Sequence, residues 1–276
     1  VKAGVFRKLD PALLPNLKNM DPVISDRVAL HDPGNQHAVT YMWGTTGFGY
    51  NVKAITDRLG ALPTDTWALF FDPAVVSKLA DCGVSLLDAP TDVMATALKY
   101  LGLDPNSESP DDLAKAEALM ATVRPHIRYF HSSQYIDDLA NGETCLAMGY
   151  SGDILQAADR AAEAKQGVEV QYVIPKEGAV VWFDMLAIPA DAPHPENAHA
   201  FIDFVMRPQI AADISNYVLY ANANKASLPL VDEEVRTDPS IYPTDEIKQN
   251  LFPTLARSAR YDRLLKRSWT KLKAGQ

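Results

Sequence analysis

Residues 82–102 read CGVSLLDAPTDVMATALKYLG, a short apolar run that passes directly into a helical pattern. Val84 to Leu87 is apolar and ends at Asp88, a residue type suited to capping a helix. Pro90 then falls in the first helical turn, and Val93, Ala97 and Leu101 recur at helical spacing up to Gly102. The stretch predicts a strand followed by a helix. Cys145 to Gly149 is a second short apolar run, and Ile154 to Ala162 after it is rich in helix formers. Further on, Ala198, Phe201, Ile202 and Val205 keep the spacing of one helix face before Pro208 stops it. Strands alternating with helices of this length imply a parallel or mixed sheet covered on both faces, so the expected class is α/β. The segments 107–112 and 189–195 are polar, proline-bearing connections, and no Gly/Ser linker cuts the chain in two. A two-lobed arrangement therefore requires the backbone to cross between lobes more than once.

Bulk properties narrow the function. A chain of 276 residues with 47% hydrophobic and 22% charged residues can bury a sizeable core. Its net charge of -9 argues against nucleic acid and anionic membrane surfaces, both of which demand clustered Lys and Arg. The longest apolar stretch, 178–190, is interrupted by Asp184 and falls well short of the roughly 20 residues of a spanning helix. The chain does not open with a basic region followed by an apolar run, so no secretory signal is read in it. Cys82 and Cys145 allow one pairing, but buried unpaired cysteines are common in chains of this size, and composition leaves the choice open.

Ligands of open α/β sheets sit beyond the carboxyl ends of the strands. Here those ends run into acids: Asp88 and Asp92 after the first strand, then Tyr150, Ser151, Gly152 and Asp153 after the second. First-turn acids compete with an anionic ligand for the helix N-terminus, so such a crevice favours cations, although each acid by itself could simply serve its helix. Asp184 lies inside the run 180–188, which reads as a buried strand, and a buried carboxylate must meet a cation or line a wet cleft. Tyr150, Trp182 and Tyr220 lie near these acids or in the polar segment 220–225; aromatic faces attract ammonium groups and sheath methylenes. Carboxylates with rings suit a diamine or triamine.

Catalytic motifs fail. Gly149-Tyr150-Ser151-Gly152-Asp153 opens like a nucleophile elbow, but Asp153 replaces the second glycine, so a serine hydrolase using Ser151 is the weaker alternative. His126 and His131, and His194 and His199, are five apart, which is not the spacing that puts two metal ligands on one helix face. There is no P-loop, G-x-G-x-x-G or C-x-x-C, and no cofactor or metal is expected.

The segments 41–51 (YMWGTTGFGYN), 82–90 (CGVSLLDAP), 127–142 (IRYFHSSQYIDDLANG), 174–178 (IPKEG) and 220–226 (YANANKA), with 30–35 and 269–271, resemble the periplasmic putrescine- and spermidine-binding proteins of bacterial ABC importers, over residues 4–276. The resemblance implies a two-lobed type II periplasmic binding fold, with 1–45 and 177–225 forming lobe 1, 46–176 and 226–276 forming lobe 2, and the ligand in the cleft between them. It also implies that the N-terminal part of lobe 1 is missing from this chain. By matching positions it makes Asp92, Asp153 and Asp184 the amine-binding carboxylates and Tyr150, Trp182 and Tyr220 the aromatic cage. Asp92 stands where putrescine-binding members can carry the longer Glu, and Trp182 where some carry Phe, so spermidine is favoured over putrescine. The expected partner is an inner-membrane ABC permease, the expected state a monomer and the expected location the periplasm. In that oxidising compartment Cys82 and Cys145, each at the amino end of a strand of one sheet, are expected to form a disulfide.

Overall fold

The computed structural model describes residues 3–61 and 63–275; residues 1 and 276, where two expected lobe boundaries fall, lie outside the described residues. Within it, the described residues form seven strands: β1 Ala38–Asn51, β2 Val84–Leu86, β3 Tyr129–Phe130, β4 Leu146–Tyr150, β5 Val170–Val173, β6 Val180–Ala187 and β7 Ala221–Asn222. They are ordered β3-β2-β4-β1-β5, with β6 and β7 also pairing with β1. β2 runs parallel to both β3 and β4, whereas β1 is antiparallel to β4, β5 and β7. The sheet is therefore mixed, as the alternation of strands and helices implies.

The strand and helix expected at 82–102 are both present, as β2 and the Pro90–Tyr100 helix with Pro90 at its first position. Val93 and Ala97 are fully buried, while Leu101, at the end of the helix, is exposed. Asp88 does not cap this helix. Ala89 occupies that position, and the Asp88 carboxylate instead accepts hydrogen bonds from Trp269 Nε1 at 2.8 Å and Lys273 Nζ at 2.6 Å. The second unit is tighter than its composition implies: β4 ends at Tyr150 and the Ser151–Ala164 helix begins at the next residue. The helix expected before Pro208 spans Pro195–Val205 and buries Ile202 and Val205, but Phe201 is 59% exposed.

Two compact units form, Val1–Gly44 with Trp182–Tyr242, and Thr45–Val181 with Pro243–Gln276. The chain passes from one to the other within β1, within β6 and after Tyr242. Residues 226–242, expected with lobe 2, cluster with the first unit, where Val231, Val235 and Ile241 are buried and the Asp232 amide donates to Asn216 Oδ1 at 3.0 Å. The first unit packs around Leu14, Val39, Ile188, Ile202 and Met206. The larger core of the second is centred on Phe48, Trp67, Phe70 and Phe71, whose rings meet edge-on or tilted at 5.5–6.1 Å for Trp67 against the other three.

Cys82 and Cys145 are bridged, with Cα atoms 5.5 Å apart. Parallel pairing of Val84 with Leu146 brings the two strand starts together. Arg128 reinforces the junction by donating to the carbonyls of Asp81 and Glu143, one flanking each cysteine region. Gly83 makes room for that guanidinium: its φ is +95°, and a Cβ there would lie 2.5 Å from Arg128 Cζ. No described helix is long and apolar enough to cross a membrane.

Candidate functional site

The second unit supplies three of the six expected ligand residues. β2 and β4 are parallel neighbours, so the helices that follow them start at the same edge of the sheet. Asp92 and Asp153 are the third residues of those two helices, where the positive end of the helix dipole favours a carboxylate. Tyr150 is the last residue of β4 and pairs across β1 with Thr46. Thr46 Oγ1 in turn donates to Asp92 Oδ2 at 3.0 Å. Burial pushes the Asp92 carboxyl above its ordinary range, against the opposing effects of the Thr46 hydrogen bond and the Arg257 charge. Asp153 Oδ2 accepts from the Tyr135 hydroxyl at 2.8 Å, and that hydroxyl also accepts from the Tyr150 amide at 3.1 Å. Asp92, Tyr150 and Asp153 thus belong to one edge of one sheet, as the strand-end argument requires.

The first unit supplies the other three. Trp182 and Asp184 lie two apart on β6 and so share one face of the strand. Tyr220 directly precedes β7, and its ring meets Trp182 edge-on, centroids 5.2 Å apart at 71°. β6 is a strand, but not a buried one: Trp182 and Phe183 are half-buried, and Asp184 and Met185 are exposed. The expectation that Asp184 lies in a buried strand is therefore corrected; of the two settings open to its carboxylate, a cation or a wet cleft, its exposure agrees with the wet one. Surrounding protein still crowds it enough to raise its carboxyl, while water reaches its oxygens, so Asp184 borders a wet surface. Burial, and then the Asp184 charge, raise the phenol of Tyr41.

Three contributing residues escaped the sequence reading. Thr46 and Tyr135 are uncharged, and Arg257 lies far along the chain, its guanidinium 5.1 Å from the Tyr261 ring centre with Nη2 donating to Pro105 O at 3.1 Å. Only the strand register, which sets Thr46 against Tyr150, would have exposed the first of them. Ser151 does not stand at an exposed elbow. It is buried at the start of its helix, and its Oγ accepts the Thr45 amide at 3.4 Å. Among the described residues no cluster of His, Cys, Asp and Glu could hold a metal ion.

Strand-end acids on a mixed sheet, in a chain that passes repeatedly between two units, are features expected of a binding protein. The chain belongs to the bacterial extracellular solute-binding protein family, whose model matches residues 1–244, and it is a solute-binding protein rather than an enzyme. It is similar to the putrescine-binding periplasmic protein PotF of Escherichia coli (strain K12), at 51% identity over 99% of this chain and 75% of that one. It is also similar to the putrescine-binding periplasmic protein SpuD of Pseudomonas aeruginosa (strain UCBPP-PA14), at 49% identity over 100% of this chain and 76% of that one. Among solved structures, the spermidine/putrescine ABC transporter substrate-binding protein PotD of Streptococcus pneumoniae superposes with a TM-score of 0.81, covering 99% of this chain and 79% of that one at 22% identity. That likeness shows the fold, the type II periplasmic solute-binding architecture.

Proposed function

We propose that this chain captures a linear polyamine in the periplasm and delivers it, as a monomer, to an inner-membrane ABC permease. The observation that carries this reading is the pair of first-turn carboxylates, Asp92 and Asp153, at the ends of adjacent parallel strands. Two anionic groups at one sheet edge suit a ligand with separated ammonium groups, and Tyr150 beside them offers a ring to its carbon chain. Asp184, with Trp182 and Tyr220, gives the first unit its own set of acid and rings. A ligand held by these groups would favour a bound conformation for the permease to recognise.

The relatives at about half identity are named for putrescine, at 51% and 49%, and give no support to a preference for spermidine. Putrescine is therefore the ligand proposed first. Titration calorimetry with putrescine, cadaverine, spermidine and spermine tests both levels: heat with putrescine supports the reading, its rank against spermidine decides the preference, and silence toward all four ends it. A fluorophosphonate probe should leave Ser151 unlabelled.

A further inference from the structure

Tyr135 is fully buried, begins its own short helix, Tyr135–Ala140, and reaches the sheet at the very point where β4 hands over to the Ser151–Ala164 helix. The ring has a seat prepared for it. A Cβ at Gly149 would lie 2.5 Å from Tyr135 Cε2 and 2.8 Å from Cζ, so only glycine at 149 lets the phenol approach the strand. Gly149 is fixed in turn by its pairing with Gly47 on β1. Seated there, the hydroxyl makes two contacts of opposite sense, accepting from the Tyr150 amide at 3.1 Å and donating to Asp153 Oδ2 at 2.8 Å. One buried oxygen thereby fixes the backbone of one proposed ligand residue and the carboxylate of another. Burial and the neighbouring Asp153 charge hold the phenol far above the ordinary range, so it stays protonated and remains a donor throughout the working pH range.

From this geometry we infer that Tyr135 is the positioning residue of the Asp153 amine subsite. It holds the Asp153 carboxylate in one orientation toward the ligand without touching the ligand itself. The inference rests on the proposed polyamine site. A carboxylate preset by a charge-assisted hydrogen bond need not be ordered when an ammonium group arrives, and that preorganisation is what Tyr135 adds.

The test is a double-mutant cycle read by calorimetry with putrescine on the whole chain: wild type, Tyr135→Phe, Asp153→Asn and the pair. Phenylalanine keeps the ring on Gly149 and removes only the hydroxyl. Tyr135→Phe is expected to weaken putrescine binding about tenfold in the wild-type background, and by less than about twofold beside Asp153→Asn. Equal losses in both backgrounds would make Tyr135 a structural residue acting through the Tyr150 amide, and unchanged affinity would remove it from the site; either overturns the inference. If wild type gives no heat with any polyamine, the site reading fails and takes the inference with it, whereas a wild type that binds with no coupling in the cycle sinks the inference alone. Should Tyr135→Phe fail to fold, as judged by near-ultraviolet circular dichroism, 3-fluorotyrosine at 135 replaces it in the cycle. It keeps both contacts with a stronger donor, and a change in affinity that depends on Asp153 is again the supporting result, its absence the overturning one.

Discussion

Removing the disulfide by the paired change Cys82→Ala and Cys145→Ala should act mainly on the unfolded chain. The bridge spans 63 residues, and in the chain-entropy account a loop of that length removes enough freedom from the unfolded ensemble to stabilise the fold by about 4 kcal/mol at 25 °C. The folded side changes little. Pairing of Val84 with Leu146 and the Arg128 hydrogen bonds to Asp81 and Glu143 still hold the two strand starts together when the sulfurs are gone. With an unfolding entropy of about 2.1 cal/mol/K per residue over a chain of 276 residues, that loss corresponds to a fall in Tm of about 7 °C, more if the unit carrying the bridge unfolds by itself. Differential scanning calorimetry of wild type and variant, each with and without a phosphine reductant, reads it. The wild type should fall to the variant's Tm on reduction, and the variant should ignore the reductant. A variant within about 2 °C of wild type would refute the reasoning and place the burden of holding this junction on Arg128 and the β2/β4 pairing.

Burial sets the response of Asp92. Its carboxyl is raised above the ordinary 3.8, so the group's contribution to stability is intact below that value and is lost as pH rises through the raised folded value. At pH 7 the carboxylate therefore costs stability, and Asp92→Asn should raise Tm there, with the gain shrinking as pH falls toward the ordinary carboxylate range, while polyamine affinity drops. A Tm at pH 7 equal to or below that of wild type sinks the argument. Asp184 is exposed, so Asp184→Asn should weaken putrescine binding by only about tenfold, and the difference should narrow at high salt, both read by calorimetry; a salt-independent loss of a hundredfold or more would mean that a dry pair forms instead. Gly83→Ala meets both a φ of +95° and the Arg128 guanidinium, and should cost about 1–3 kcal/mol in urea unfolding; a neutral result would show that Arg128 moves aside freely.

The strand-and-helix units at 84–100 and 146–164 were legible because each is local: apolar residues, a turn and a helical face follow one another in the chain. Asp88 was misread for the opposite reason. Its true partners, Trp269 and Lys273, come from the Ala259–Lys273 helix some 180 residues away, and no local rule competes with a charged hydrogen bond made at that range. Asp184 shows a second limit. An apolar run identifies a strand, but burial depends on what packs over each face, and β6 leaves its middle open to water. The bridge between Cys82 and Cys145 came from family resemblance, since two cysteines give no geometry until the parallel register of β2 and β4 is known. Tyr135 and Thr46 were invisible because a hydroxyl gains its meaning only from what it faces.

A contrast at the carboxyl edge of the sheet separates an acid held by an ammonium group from two that take hydrogen bonds from hydroxyls. Asp88 meets the ammonium of Lys273 at 2.6 Å and the Trp269 indole, which hold its carboxyl below the ordinary range. Its negative charge is largely neutralised by the protein. Asp92, four residues on, takes its hydrogen bond from a threonine hydroxyl, and Asp153 takes one from a phenol. A hydroxyl orients a carboxylate as well as an ammonium does, yet brings no net charge to cancel it. Asp88 therefore contributes little to the field at this edge despite lying next to the same strand end. The Thr46 and Tyr135 hydroxyls orient Asp92 and Asp153 without cancelling their charge, the Arg257 charge acting on Asp92 besides. Charge count in the sequence cannot make that distinction; the identity of each donor can.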